Sequence, residues 1–321
     1  MSNPLHRAHL PVAALLAAAG LLLVLGVVCP AVARTLQVGA DKEYKAPSQA
    51  AAAARDGDTV VIDPGEYFDC AAWAANKLVV EGAGQKPDDT VITDKTCAGK
   101  GLFLTDGQDI TIRNLTLTRA RVPDGNGAGI RMQANNLTVE RVRFVNNQNG
   151  IMTNNNVAGT LVIRDSGFIA NGGCDGACSH GIYASTLDLL RVENSLFSET
   201  KRAHHIKSRA RRTEVVGSTI QDGPNGTASY MLEIPNGGDV LVRGNVFAKG
   251  PRAENHTCAI MIGSEGVSQR TREILVEDNT FRNEGSYDTF FVTNRTATEA
   301  LLKNNRFSGR VRPLQGDGES R

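Results

Sequence analysis

One eight-residue frame returns eight times along this chain, and it dictates a fold made by stacking. The frame reads apolar-x-apolar-x-x-small/Asn-x-apolar. Its copies begin at Ile110, Leu137, Leu161, Leu190, Thr213, Val240, Ile274 and Ala300, with a degenerate one ahead of them at Leu78. Successive starts lie 27, 24, 29, 23, 27, 34 and 26 residues apart, so loops of unequal length interrupt a constant unit. The first and third positions alternate inward as a strand requires, a turn-former follows, and the last apolar residue, usually Phe, resumes burial. At the sixth position stand Leu115, Val142, Ser166, Ser195, Ser218, Asn245, Asn279 and Asn305. Stacked in space, the polar members predict a hydrogen-bonded ladder from one coil to the next.

A second strand precedes each copy: GLFLT (101–105), GIRMQ (129–133), GIMTN (150–154), GIYAS (181–185), HIKSR (205–209), MLEIP (231–235), AIMIG (259–263) and TFFVT (289–293). Its second and fourth residues face in; its first, third and fifth face out. Two strands in a unit of ~25 residues that can only bury itself against its neighbours is a solenoid. Composition agrees. With 33 glycines and a single tryptophan the chain suits short strands and many turns rather than a helical bundle. A balance of 35 Lys+Arg against 34 Asp+Glu lacks the basic surplus of a nucleic-acid binder.

The N-terminus carries a basic residue, an apolar run over Leu10–Val28 and then Ala31-Val32-Ala33. We read residues 1–33 as a secretory signal peptide cleaved before Arg34, which implies a secreted or periplasmic protein with no membrane association after cleavage. Export permits disulfides. Cys174 and Cys178 bracket a short loop as a local staple, Cys70 and Cys97 are placed to join successive loops, and Cys258 is left over.

These repeats resemble the right-handed parallel β-helix, the pectin-lyase-like superfamily, over roughly residues 35–310. The opening LQVGADKEYKAPSQAAAAARDGDTVVIDPGEY is similar to that family's usual start. The resemblance implies an all-β, right-handed, single-stranded parallel β-helix of about nine coils, spanning residues 34–311. Pro47–Arg55 forms a short helical cap, and residues 312–321 form a polar C-terminal tail. The same scaffold serves lyases, hydrolases, epimerases and binding proteins, so function must be read from a site.

The third outward position reads Phe103, Arg131, Met152, Tyr183, Lys207, Glu233, Met261 and Phe291. With strands about 4.8 Å apart, His180, Tyr183, His204, His205, Lys207, Arg209, Tyr230 and Glu233 fall into one patch on three adjacent rungs. Such a cationic, imidazole and phenol surface suits an acidic polysaccharide. Lys207 and Arg209 neutralise a sugar carboxylate, which acidifies the carbon-bound proton beside it. His205, His180 or Lys207 takes that proton, and Tyr183 or Tyr230 protonates the departing oxygen. The catalytic candidates are therefore His180, His205, Lys207 and Tyr183. Those for substrate binding are His204, Arg209, Arg131, Tyr230 and Glu233. β-Elimination and C5-epimerisation share the carbanion-like intermediate; a non-catalytic polysaccharide-binding protein would use the same patch for docking.

Ser179-His180-Gly181 followed by His205-Ile206-Lys207 also resembles the G-H-G and R-I-K motifs of polygalacturonases. Where that family carries its catalytic acids this chain has Gly129-Ile130-Arg131 and Asn149-Gly150-Ile151, which leaves a hydrolase without its carboxyl pair. A metal-delivery role lacks tight His/Met/Cys spacing. Loop acids such as Asp124, Asp175 and Asp222 are too scattered for calcium, so no metal or cofactor is expected. The expected partner is the polysaccharide alone, with the protein a monomer.

Overall fold

The computed structural model describes residues 33–321. The expected leader, apart from its last residue, lies outside them, as does Cys29. The described chain winds through three parallel sheets of twelve, ten and ten strands, here called I, II and III. Strands visit I, II and III in turn, giving a parallel β-helix of about ten coils with one short helix, Pro47–Ala53, over its first end. No helix among the described residues is long and apolar enough to cross a membrane.

The repeated frame supplies both sheets I and II, so each coil has three strands rather than two. Its fifth residue is the reason. Asn114, Arg141, Asp165, Asn194, Gly217, Gly244, Asp278 and Asn304 all take a left-handed conformation there. That bends the eight-residue frame around a corner of the coil; Gly217 and Gly244 take the bend without a Cβ penalty. Register follows the frame without a slip. Leu117, Phe144, Phe168, Phe197, Ile220, Phe247, Phe281 and Phe307 form one column on sheet II. Within it Phe144, Phe168 and Phe197 stack with centroids 4.6 Å apart.

The sixth-position ladder is present and buried. Backbone N–H groups of Val142, Ser166 and Ser195 donate to the hydroxyl one coil on, and those of Ser218, Asn245 and Asn279 to the next asparagine Oδ1. Asn279 also donates to Val242 O at 3.0 Å. Asn279→Ala orphans these partners, at about 1–3 kcal/mol for each buried group. A drop in denaturant midpoint without a change of fold by circular dichroism would register that loss.

The outer face of sheet I carries a second column, in the fourth position of the frame. Glu81, Arg113, Glu140, Arg164 and Glu193 are successive cross-strand neighbours, and after Val216 the alternation resumes at Arg243, Glu277 and Lys303. Arg164 reaches Glu140 at 3.2 Å and Glu193 at 3.0 Å.

Three expectations change. On the second rung of sheet III, Phe103 pairs with Ile130 and Leu104 with Arg131, so Phe103 and Thr105 point inward. On a late rung Met261 pairs with Thr293 rather than Phe291, and Phe291 packs inside against Phe281. Neither strand offered an apolar/polar alternation from which to fix its register. Residues 312–321 are not a free tail. Val311–Gln315 and Gly318–Ser320 add the last strands of sheets III and I, because Leu314 packs on the core and the open edge offers backbone partners.

Both expected disulfides form, Cys70–Cys97 and Cys174–Cys178, and Cys258 is free and buried. Two disulfides fit an extracytoplasmic protein.

Candidate functional site

Sheet III positions the patch. Its strands Ile182–Ala184, His204–Ser208 and Tyr230–Ile234 bury Ile182, Ile206 and Leu232 and so turn the residues between them outward. Tyr183, Lys207 and Glu233 become direct neighbours on three successive coils. Arg131 and Met152 continue the row on one side and Met261 on the other. At the start of the strands His180, His204 and Tyr230 form a parallel column, with ring centroids 5.0 and 5.2 Å apart.

The histidine column is wired through the backbone. His180 Nδ1 accepts from the N–H of His204, and His204 Nδ1 accepts from the N–H of Tyr230, both at 3.2 Å. In the neutral ring this puts the proton on Nε2, which makes each imidazole a donor at that nitrogen. His204 points that donor at Glu233 Oε2, 3.0 Å away. Burial, with His204 and Lys207 beside it, holds the His180 imidazole well below the usual histidine range. It therefore stays neutral.

Glu233 sits at the centre. Burial alone would raise its carboxyl, but His204 and Lys207 outweigh that and hold it far below the usual carboxylate range. Lys207 Nζ is 3.0 Å from its Oε2, and Ser264 Oγ donates to its Oε1 at 2.8 Å. Oε2 has Lys207 Nζ and His204 Nε2 each 3.0 Å away, neither in the alignment of a full hydrogen bond. A second carboxylate, Glu265, closes the network from a loop. It takes Lys207 Nζ on Oε1 at 2.7 Å and Arg209 Nη2 on Oε2 at 2.6 Å. Burial opposes the Glu265 charge, but Lys207 and Arg209 hold its carboxyl low. Arg209 also donates to Tyr183 Oη at 3.3 Å and to Asn236 Oδ1. The Tyr183 ring has Lys207 Nζ and the Arg209 guanidinium each 5.9 Å from its centroid.

The patch thus gathers His180, Tyr183, His204, Lys207, Arg209, Tyr230 and Glu233, but not His205. That side chain is wholly buried at the corner between sheets II and III. Its Nδ1 lies 2.7 Å from Thr200 Oγ1 and its Nε2 2.9 Å from Asp222 Oδ1. Both nitrogens are used, so His205 is a structural residue and not a surface base. The reason is geometric: the chain turns at this corner, so His204 and His205 diverge, one out and one in. Arg131 also differs. It reaches Asn154 Oδ1 at 3.0 Å and Met152 Sδ, and sits three coils from Lys207. Burial raises the Tyr230 phenol.

Glu265, Ser264 and Asn236 escaped the sequence reading. The spacing of 34 residues between the copies at Val240 and Ile274, the longest in the chain, was the available signal. It marks an insert that carries Ser264 and Glu265 back over sheet III. Among the described residues no group of three or more His, Cys, Asp or Glu could hold a metal ion.

Chemically, the patch offers two cations around one half-exposed carboxylate, a phenol between them, and imidazole donors along one edge. A planar anionic group entering from solvent meets Lys207 and Arg209 in the geometry that Glu265 now uses.

The family model for a right-handed beta helix region matches residues 72–226. No curated protein matches by sequence. Among solved structures, an alginate lyase from Paenibacillus sp. str. FPU-7 superposes with TM-score 0.71 at 18% identity, covering 89% of this chain and 99% of that one. Pectate lyase Pel9A gives 0.54 at 14%, over 90% and 78%. A Geobacillus virus E2 protein, ORF18, gives 0.54 at 13%, over 82% and 53%. At such identities the likeness is one of architecture, and together with the matched repeats it shows the fold of this chain to be that of a right-handed parallel β-helix.

Proposed function

We propose that the protein acts on a uronate-containing polysaccharide laid across sheet III, cleaving it by β-elimination. One observation carries this reading: Lys207 and Arg209, two residues apart on one coil, grip the loop carboxylate of Glu265 beside the Tyr183 hydroxyl. A sugar carboxylate entering there takes the place of Glu265, and the Arg209 guanidinium draws charge from the adjacent carbon. Since backbone N–H groups occupy Nδ1 of both His180 and His204, which leaves the ring proton on Nε2, neither imidazole is free to act as a base. Lys207 and Tyr183 remain to exchange protons. In the elimination Lys207, released from Glu265, first gives its ammonium proton to solvent and, as the neutral amine, takes the proton from the carbon next to the carboxylate. The electron pair forms the double bond, and the glycosidic oxygen leaves with the proton of Tyr183. Return of a proton to the opposite face instead yields C5-epimerisation.

The architecture shared with an alginate lyase over nearly that chain's whole length makes alginate the first substrate to try. Purified protein with alginate and with polygalacturonate should give rising near-ultraviolet absorbance from unsaturated uronate, together with new reducing ends. Reducing ends without absorbance would mean hydrolysis and would overturn the elimination reading. Silence in both assays leaves epimerisation, which NMR of the polymer would detect.

The existing pairing of both cations with Glu233 and Glu265 favours a second reading, a docking protein without turnover. Glu265→Gln bears on either. With the competing charge removed, oligouronate binding should tighten about tenfold, the worth of one charge-assisted contact. Weaker binding in calorimetry would instead make Glu265 part of the frame that holds the cations in place.

A further inference from the structure

Beside the patch, at the corner between sheets II and III, lies a cavity of about 280 Å³ with a cationic lining. Arg121, Lys201 and Arg202 contribute positive charge and Asp175 a single carboxylate. Ser179 lines it too, and the next residue is His180 of the imidazole column; Arg202 likewise lies two residues before His204. The cavity therefore opens against the very coils that carry Tyr183 and Lys207.

The charges there are unequally partnered. Arg202 is neutralised by Glu254 at 3.1 Å. Arg121 and Lys201 have no carboxylate within ion-pair distance among the described residues. Both instead donate to one neutral oxygen, Asn146 Oδ1, Arg121 Nη2 at 2.9 Å and Lys201 Nζ at 3.1 Å. A guanidinium and an ammonium converging on an amide oxygen keep nearly their full charge, and both side chains are exposed to a ligand.

The walls are held from three coils. Gln148 Oε1 accepts from the N–H of Val122 at 2.9 Å and of Gly127 at 2.8 Å, which fixes the loop that carries Arg121. The Cys174–Cys178 disulfide closes the facing loop, whose Ala177 N–H donates to Asp124 O at 3.3 Å across the gap. Donors held apart by such a frame lose little on binding, since their positions are already set.

We propose that this cleft is a second anion subsite, taking the carboxylate of another sugar residue farther along the chain bound at Lys207 and Arg209. The inference rests on the polysaccharide reading and extends it: the protein recognises a run of acidic sugars rather than a single one. Arg121 and Lys201 bind the second carboxylate, and the disulfide-closed loop covers it. Longer oligomers then bind more tightly than short ones, and neutral stretches of a mixed polymer bind poorly.

Calorimetry with oligouronates from tri- to octasaccharide tests this on the native protein and on the Arg121→Gln/Lys201→Gln double variant. The native protein should gain affinity once the chain is long enough to reach the cleft. The double variant should lose that gain, tenfold or more, while binding the shortest oligomers as before. Lys201→Gln alone, an exposed change, should lose part of it and guards against misfolding of the pair. Equal affinity of native and variant proteins for the longest oligomer overturns the subsite. If the native protein binds no oligouronate at all, the polysaccharide reading falls by itself. The cleft is then judged with sulfate and malonate: NMR shifts of the Arg121 Nε–H that are lost in Lys201→Gln keep it as an anion site, and unmoved signals in the native protein remove it.

Discussion

Tyr183→Phe lowers the rate of unsaturated-uronate release by about a thousandfold, within the range for loss of a positioned proton donor, and leaves the protein as stable as before. The phenol makes one hydrogen bond, a 3.3 Å contact from Arg209, and the ring that lies between the two cations is kept in Phe. Lys207→Ala removes turnover to the same degree but differs in a second measurement. It strips the buried Glu233 carboxylate of its nearest full cation, so its melting temperature falls as well, by the equivalent of about 3–5 kcal/mol for breaking a buried pair. Binding of the polymer stays measurable in both, through Arg209. A Tyr183→Phe protein that releases product at the native rate would sink the proposed proton route, whatever Lys207→Ala does.

The other large effect concerns the corner below the patch. Asp222→Ala leaves His205 without its partner, the Gly250 N–H without its acceptor and the buried Lys249 without its nearest acid. The expected loss is about 3–5 kcal/mol, read as the shift in a chemical denaturation midpoint. The pH dependence has a definite sign. Burial alone would raise the Asp222 carboxyl, but His205, Lys249 and the Gly250 N–H outweigh it and hold it below the ordinary value. A depressed carboxyl contributes its full stability above the unfolded-state pKa of about 3.9, and that contribution is lost as pH falls through the lower folded value. The native protein should therefore lose stability below about pH 4 more steeply than Asp222→Ala does. Parallel curves would show that Asp222 is not part of the acid response.

What could be read ahead of the structure was whatever the coil repeats. Asn245, Asn279 and the phenylalanine column fell into register because the frame fixes three things at once: inward positions, a left-handed corner and a small polar sixth residue. Tyr183, Lys207 and Glu233 followed because Ile182, Ile206 and Leu232 alternate with them. Phe103 and Phe291 went astray where neighbouring residues are all apolar and alternation says nothing about side. His205 was misread because a corner breaks the two-residue period. Glu265 has no place in any period, since it arrives on an insert and its partners lie 58 and 56 residues earlier in the chain. Residues set by the coil were legible, and those set by a loop or a corner were not.

The alternating charges along sheet I bear on how such a chain can change length. Each exposed pair contributes little by itself, about 0–1 kcal/mol, but like charges directly opposite one another repel. An in-frame deletion of the single coil that carries Glu140 would set Arg113 against Arg164. Deletion of two coils, those of Glu140 and Arg164, would bring Arg113 to Glu193 and keep opposite signs in contact. Parity is thus written into this face, and the genetic unit by which the solenoid can be shortened or extended without conflict is the pair of coils, not the single one.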